Sequence, residues 1–128
     1  MGDLMAFYTT LTGAVGAKNL FTERATAAVA FVEIDKGMAA KIREVQLEGN
    51  GVGKIDIQYS TDGGATWRTI KGFAKFTAAV AERFEYQNRP LVIEAWNDTT
   101  RFRVNEEAGS AAGLQVILNV EFCDMEKE

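Results

Sequence analysis

Apolar and polar residues alternate with a period of two along much of this chain. In Lys54-Ile55-Asp56-Ile57-Gln58-Tyr59-Ser60 the apolar side chains fall at 55, 57 and 59, with polar residues between them. A strand sends those two sets to opposite faces, one toward a core and one toward water. Leu114-Gln115-Val116-Ile117-Leu118-Asn119-Val120-Glu121-Phe122 repeats the pattern at greater length, and only Ile117 breaks its polar set. Arg101 to Asn105 is a shorter copy. Leu91 to Trp96 follows Pro90, a residue that suits a strand start. Its parity sends Leu91, Ile93 and Ala95 inward and Trp96 outward. Val29 to Ile34 and Glu44 to Glu48 complete the set of predicted strands.

Turn chemistry separates these runs: Asp35-Lys36-Gly37, Gly49 to Gly53, Asp62-Gly63-Gly64, Asn97-Asp98 and Gly109 to Gly113. Many short strands with regular turns predict an all-β protein, an antiparallel β-sandwich of jelly-roll or Ig-like type with at most one short helix. Two segments read less simply. Phe73, Phe76, Val80 and Phe84 fall at helical spacing, but Val80, Phe84 and Tyr86 also share a strand parity. A loop or short helical turn to about residue 79, then a strand over 80–86, accommodates both. The first 25 residues are apolar and rich in Thr, Gly and Ala, without a clean period. They read either as a terminal arm or as the first strand. An arm could be removed, so that a chain starting near residue 18 would still fold. The sandwich proper then spans 26–123, and 124–128 form an acidic tail.

At 128 residues the chain is the size of one domain and can bury a core without staples. Its single cysteine, Cys123, cannot close an internal disulfide, and its acidic neighbours suit a quiet structural thiol. The start MGDLMAFYTT lacks the basic residues of a signal peptide, and no apolar run is long enough to span a bilayer. The net charge of −4, with Lys and Arg dispersed, argues against a nucleic-acid partner.

Ser60-Thr61-Asp62-Gly63-Gly64-Ala65-Thr66-Trp67 resembles the Asp-box, S-x-D-x-G-x-T-W, at Ser60, Asp62, Gly64, Thr66 and Trp67. The motif recurs in sialidases and other β-propellers and occurs singly in unrelated β domains, where it forms a hairpin corner away from the active site. The resemblance implies a structural turn. Physical chemistry points the same way, because an Asp carboxylate accepts nearby backbone N–H groups and glycine permits φ > 0. Trp67 is expected to be largely buried beside the hairpin. More broadly, residues 42 to 122 resemble small β-sandwich proteins of tailed phages and prophages, which decorate capsids or form tail parts. They also resemble accessory β-sandwich modules of secreted enzymes.

The chain has no histidine, which removes the commonest general base and metal ligand. The carboxylates Asp56, Asp62, Glu94, Asp98, Glu106 and Glu107 are candidates for paired-acid chemistry. Asp62 is assigned to the turn, and the rest are read as solvated charges on strand faces and loops. No catalytic, metal or cofactor site is expected.

These features predict a non-enzymatic structural protein acting in multiple copies, a capsid decoration or tail component of a virion that is cytoplasmic during assembly. Its partners would be copies of itself or larger capsid or tail proteins. Leu4, Phe7, Tyr8 and Trp96 are the candidate interface residues. The alternative is a carbohydrate-binding module, in which Trp96, Trp67, Tyr59 and Tyr86 furnish an aromatic face for a glycan.

Overall fold

The computed structural model describes residues 3–12, 15–18, 20–22, 31–49, 54–72, 80–85, 89–107 and 112–125. Eleven strands run through them. They are β1 (Asp3–Thr12), β2 (Gly16–Lys18), β3 (Phe21–Thr22), β4 (Val32–Glu33), β5 (Met38–Gly49), β6 (Ile55–Ser60), β7 (Arg68–Gly72), β8 (Val80–Glu85), β9 (Leu91–Glu94), β10 (Arg101–Glu106) and β11 (Ala112–Asp124). No helix appears among the described residues apart from a single turn residue, Met125. Residues 73–79 with Phe73 and Phe76, Tyr86, and most of the predicted turns at 49–53 and 109–113 lie outside the described residues.

All pairings are antiparallel, and they form two sheets. The first runs β3-β1-β11-β5-β8, with β9 also on β5. The second runs β2-β10-β6-β7, with β4 also on β10. β8 takes the half of β5 from Glu44 to Gly49, and β9 takes the half from Ala39 to Ile42. Between the sheets lie Phe7, Leu11, Ile42, Val45, Leu47, Val116, Leu118 and Val120 from one side and Ile55, Ile57, Phe102 and Val104 from the other. The rings of Phe7 and Phe102 meet edge to face at 5.8 Å and tie the layers together. The protein is an all-β sandwich.

The N-terminal segment is not a free arm. β1 lies between β11 and β3, and Phe7 (4% exposed) and Leu11 are in the core. Its inward set is Met5, Phe7, Thr9 and Leu11, while Tyr8 faces out. Apolar Leu4, Ala6 and Tyr8 on the other parity mask that alternation in the sequence.

β5 begins at Met38, well before the predicted Glu44, because a bulge resets its phase. Asn119 pairs with Glu44 but Val120 pairs with Ile42, leaving Arg43 as the extra residue. Inward residues are therefore Ala40 and Ile42 before the bulge and Val45 and Leu47 after it. Cys123 is buried near the end of β11, opposite Ala39.

Candidate functional site

β6 and β7 form a hairpin, and its turn is built around two side chains. Ser60, the last residue of β6, is buried. Its Oγ donates to Asp62 Oδ1 at 2.7 Å and accepts from Gly64 N–H at 2.9 Å. Asp62 Oδ1 also accepts the Thr66 N–H at 2.9 Å, which closes the loop. Gly63 and Gly64 take φ of 75° and 96°, values that a side chain resists. The Ser60 hydroxyl, and after it Thr66, stabilise the ionised form and lower the Asp62 carboxyl to about 2.

Trp67 is covered beside the hairpin but does not enter the core. It is half-buried and lies against Arg103, whose guanidinium sits 4.1 Å from the ring centroid. Arg103 shares the outward parity of β10, so Trp67 packs on the outside of the second sheet rather than in the core.

The hairpin turn docks on the segment between β9 and β10. Asn97 Nδ2 and Thr99 Oγ1 both donate to Thr61 O, at 3.0 and 2.8 Å. Gly63 N–H donates to Thr99 O at 3.1 Å, and Arg101 Nη1 donates to Gly63 O at 2.7 Å. Asn97 Oδ1 accepts from Thr99 N–H and Thr100 Oγ1. The Asn97-Asp98-Thr99 stretch is thus a rigid ledge.

Two of the candidate carboxylates are not solvated as expected. Asp56 is buried, its Oδ2 accepting from Thr69 Oγ1 (2.8 Å) and Gln58 Nε2 (2.9 Å) and its Oδ1 from Asn105 Nδ2 (3.0 Å). Burial pushes the neighbouring Arg103 guanidinium down, and Asp56 opposes that shift. Glu106 continues the inward set of Phe102 and Val104 and is fully buried. Its Oε1 accepts the Thr12 N–H at 3.0 Å and faces Lys18 Nζ at 3.3 Å. Glu107 does pair at the surface, with Lys54 at 3.5 Å, and Asp98 is exposed.

Glu94 stands apart from these scaffold acids. It lines a cleft of about 630 Å³ between β7 and β9, with Tyr59, Thr69, Ile70, Val92 and Trp96. Both strands pair with a single neighbour among the described residues, so the cleft opens at an edge of the sandwich. Trp96 is 73% exposed at its rim, and Ile93 and Ala95 are buried, as their parity predicts. The backbone on either side of Trp96 is fixed. Ala95 N–H donates to Met38 O at 2.9 Å and Ala95 O accepts Gly37 N–H at 2.8 Å. On the other side stands the Asn97 ledge.

The four candidate stacking aromatics do not form one face. Tyr59 and Trp96 share the cleft, Trp67 does not line it, and Tyr86 lies outside the described residues. The interface set also divides: Leu4 pairs with Glu121 in the β1–β11 ladder, Phe7 is core, and Tyr8 (43%) and Trp96 are exposed. Sequence reasoning missed Thr69, Ile70 and Val92 as cleft residues. The shared parity of Val92, Glu94 and Trp96 was the available signal. Among the described residues no cluster of His, Cys, Asp or Glu is arranged to hold a metal, and no helix is long and apolar enough to cross a membrane. No family model, curated protein or solved structure matches the chain.

Proposed function

We propose that this protein is a non-enzymatic structural component that works in multiple copies within a virion, as a capsid decoration or tail part. The observation that carries this reading is the use made of the polar inventory. Asp62 closes a turn, Asp56 is held by Gln58, Thr69 and Asn105, and Glu106 is held by Thr12 and Lys18. These acids hold strands and turns together, and a rigid all-β body built in this way suits repeated assembly. Copies would meet through the apolar residues of the first sheet's outer side. Tyr8 on that side is 43% exposed and paired with Ile117, and a second exposed apolar residue, Val15 (67%), stands just before β2.

Sedimentation and light scattering over a wide concentration range test this reading. Concentration-dependent association is expected, and Tyr8→Asp with Val15→Asp should weaken it by about tenfold or more. A chain that stays monomeric throughout, or associates unchanged with both substitutions, contradicts the proposal.

A further inference from the structure

We propose that the cleft between β7 and β9 binds a neutral saccharide, with Trp96 as the stacking platform. This goes beyond the assembly reading and stands without it. The cleft is lined by two aromatic residues, Trp96 and Tyr59, a carboxylate, Glu94, a hydroxyl, Thr69, and the apolar Val92 and Ile70. A sugar ring has the matching duality. Its axial C–H groups form an apolar patch that lies on an aromatic face, and its equatorial hydroxyls need hydrogen-bond partners around the rim. A carboxylate accepts two hydroxyl donors at once, and the Thr69 hydroxyl, which gives its proton to Asp56, keeps its lone pairs to accept one more.

Size and shape agree. The volume of about 630 Å³ falls within the roughly 300–1,000 Å³ typical of small-ligand sites. The cleft is open at the sandwich edge, which suits a short oligosaccharide passing through rather than one sugar enclosed. Charge narrows the class. Among the described residues the charged side chain lining the cleft is Glu94, which repels sialic and uronic acids and leaves neutral sugars favoured.

The rigidity of the rim is the second line of support. Trp96 is 73% exposed, so a ligand that lies on its ring removes apolar surface from water. Here the backbone before Trp96 is fixed to Gly37 and Met38, and the backbone after it is fixed by the Asn97 side chain. Asn97 is in turn joined to the Ser60–Trp67 hairpin through Thr61 O. The hairpin thereby positions the ledge that carries the exposed ring. A backbone held in place before the ligand arrives leaves only the ring's own rotamers to be ordered on binding.

The test uses the full chain, labelled so that the two indole N–H signals, from Trp67 and Trp96, are seen separately by NMR. Probes are the neutral oligosaccharides cellohexaose, maltohexaose, mannohexaose and chitohexaose, and the acidic probes 3′-sialyllactose and oligogalacturonate, each at millimolar concentration. At least one neutral probe should shift the Trp96 signal saturably and leave Trp67 in place. Trp96→Ala should weaken binding at least about tenfold, and Trp96→Tyr should keep part of it. Glu94→Gln should weaken the neutral probe several-fold and relieve the exclusion of acidic ones. If no neutral probe moves the Trp96 signal, or an acidic probe moves it as strongly, the proposal is wrong. If Trp96→Ala instead abolishes self-association, the cleft is a contact between copies and the saccharide assignment falls, while the assembly reading survives.

Discussion

The Asp62–Trp67 turn and the Glu94–Trp96 strand end contain the same two kinds of residue, an acid and a tryptophan a few positions apart, and use them in opposite ways. In the first, the Asp62 carboxylate is occupied by Ser60 and Thr66, and the Trp67 ring is covered on one side by Arg103. In the second, Glu94 lines an open cleft and Trp96 stands in solvent. The two are neighbours, joined through Asn97 and Thr99. The more conspicuous sequence motif is therefore scaffold, and the plainer stretch beside it is the one left open to solvent. Residue type alone does not separate them. Hydrogen-bond saturation and exposure do.

Both regions rest on one packed sandwich, and removing its central ring gives the largest expected effect. Phe7→Ala should cost about 3–5 kcal/mol in urea unfolding, because a buried ring between two sheets leaves a cavity. A chain starting near residue 18 should show no cooperative β transition, since it lacks β1 entirely. A truncated chain that folds would mean β1 is dispensable and the two regions do not share a scaffold.

Glu106 extends the comparison to a third acid, one committed wholly to structure. Glu106→Ala should cost about 2–4 kcal/mol by the same measurement, because Thr12 N–H and Lys18 lose a buried partner. Little change would show that the end of the sandwich tolerates water there.

The Asp62 contribution is smaller and appears as a pH dependence. Its folded-state value of about 2 lies below the ordinary 3.8, so the ionised carboxylate favours the fold. That stabilisation is complete above about pH 4 and is lost as pH falls toward 2. The urea midpoint of the protein should therefore fall more steeply over this window than that of Asp62→Asn. Parallel curves would remove Asp62 from the group of structural acids.

Part of the sandwich was legible because its long inner strands alternate in sequence, even where Asp56 and Ser60 on the outward parity of β6 turn out buried. β6, β10 and β11 follow their sequence periods, and the outward Trp96 follows from Leu91, Ile93 and Ala95. The illegible parts have definite causes. The Arg43 bulge shifts β5 by one residue, so that Ala40 and Ile42 fall out of phase with Val45 and Leu47. β1 has apolar residues on both parities. β7 is too short to read, since it carries a single apolar residue, the half-buried Ile70, at another register shift. Glu106 was readable in retrospect, sharing parity with Phe102 and Val104, but a carboxylate is ordinarily assigned to water unless a partner is known. Its partners, Thr12 and Lys18, come from far along the chain and no local pattern reveals them. The cleft is likewise a product of topology, bringing β7 and β9 from different sheets to one edge.

Acrylamide quenching of the two single-tryptophan variants separates Trp67, committed to the scaffold, from Trp96, the proposed binding platform. With Trp67→Phe, the remaining Trp96 should emit at long wavelength and be quenched steeply. With Trp96→Phe, the remaining Trp67 should be quenched weakly, shielded by Arg103 and the hairpin turn. Equal quenching of the two, or a shielded Trp96 in the monomer, would contradict the account.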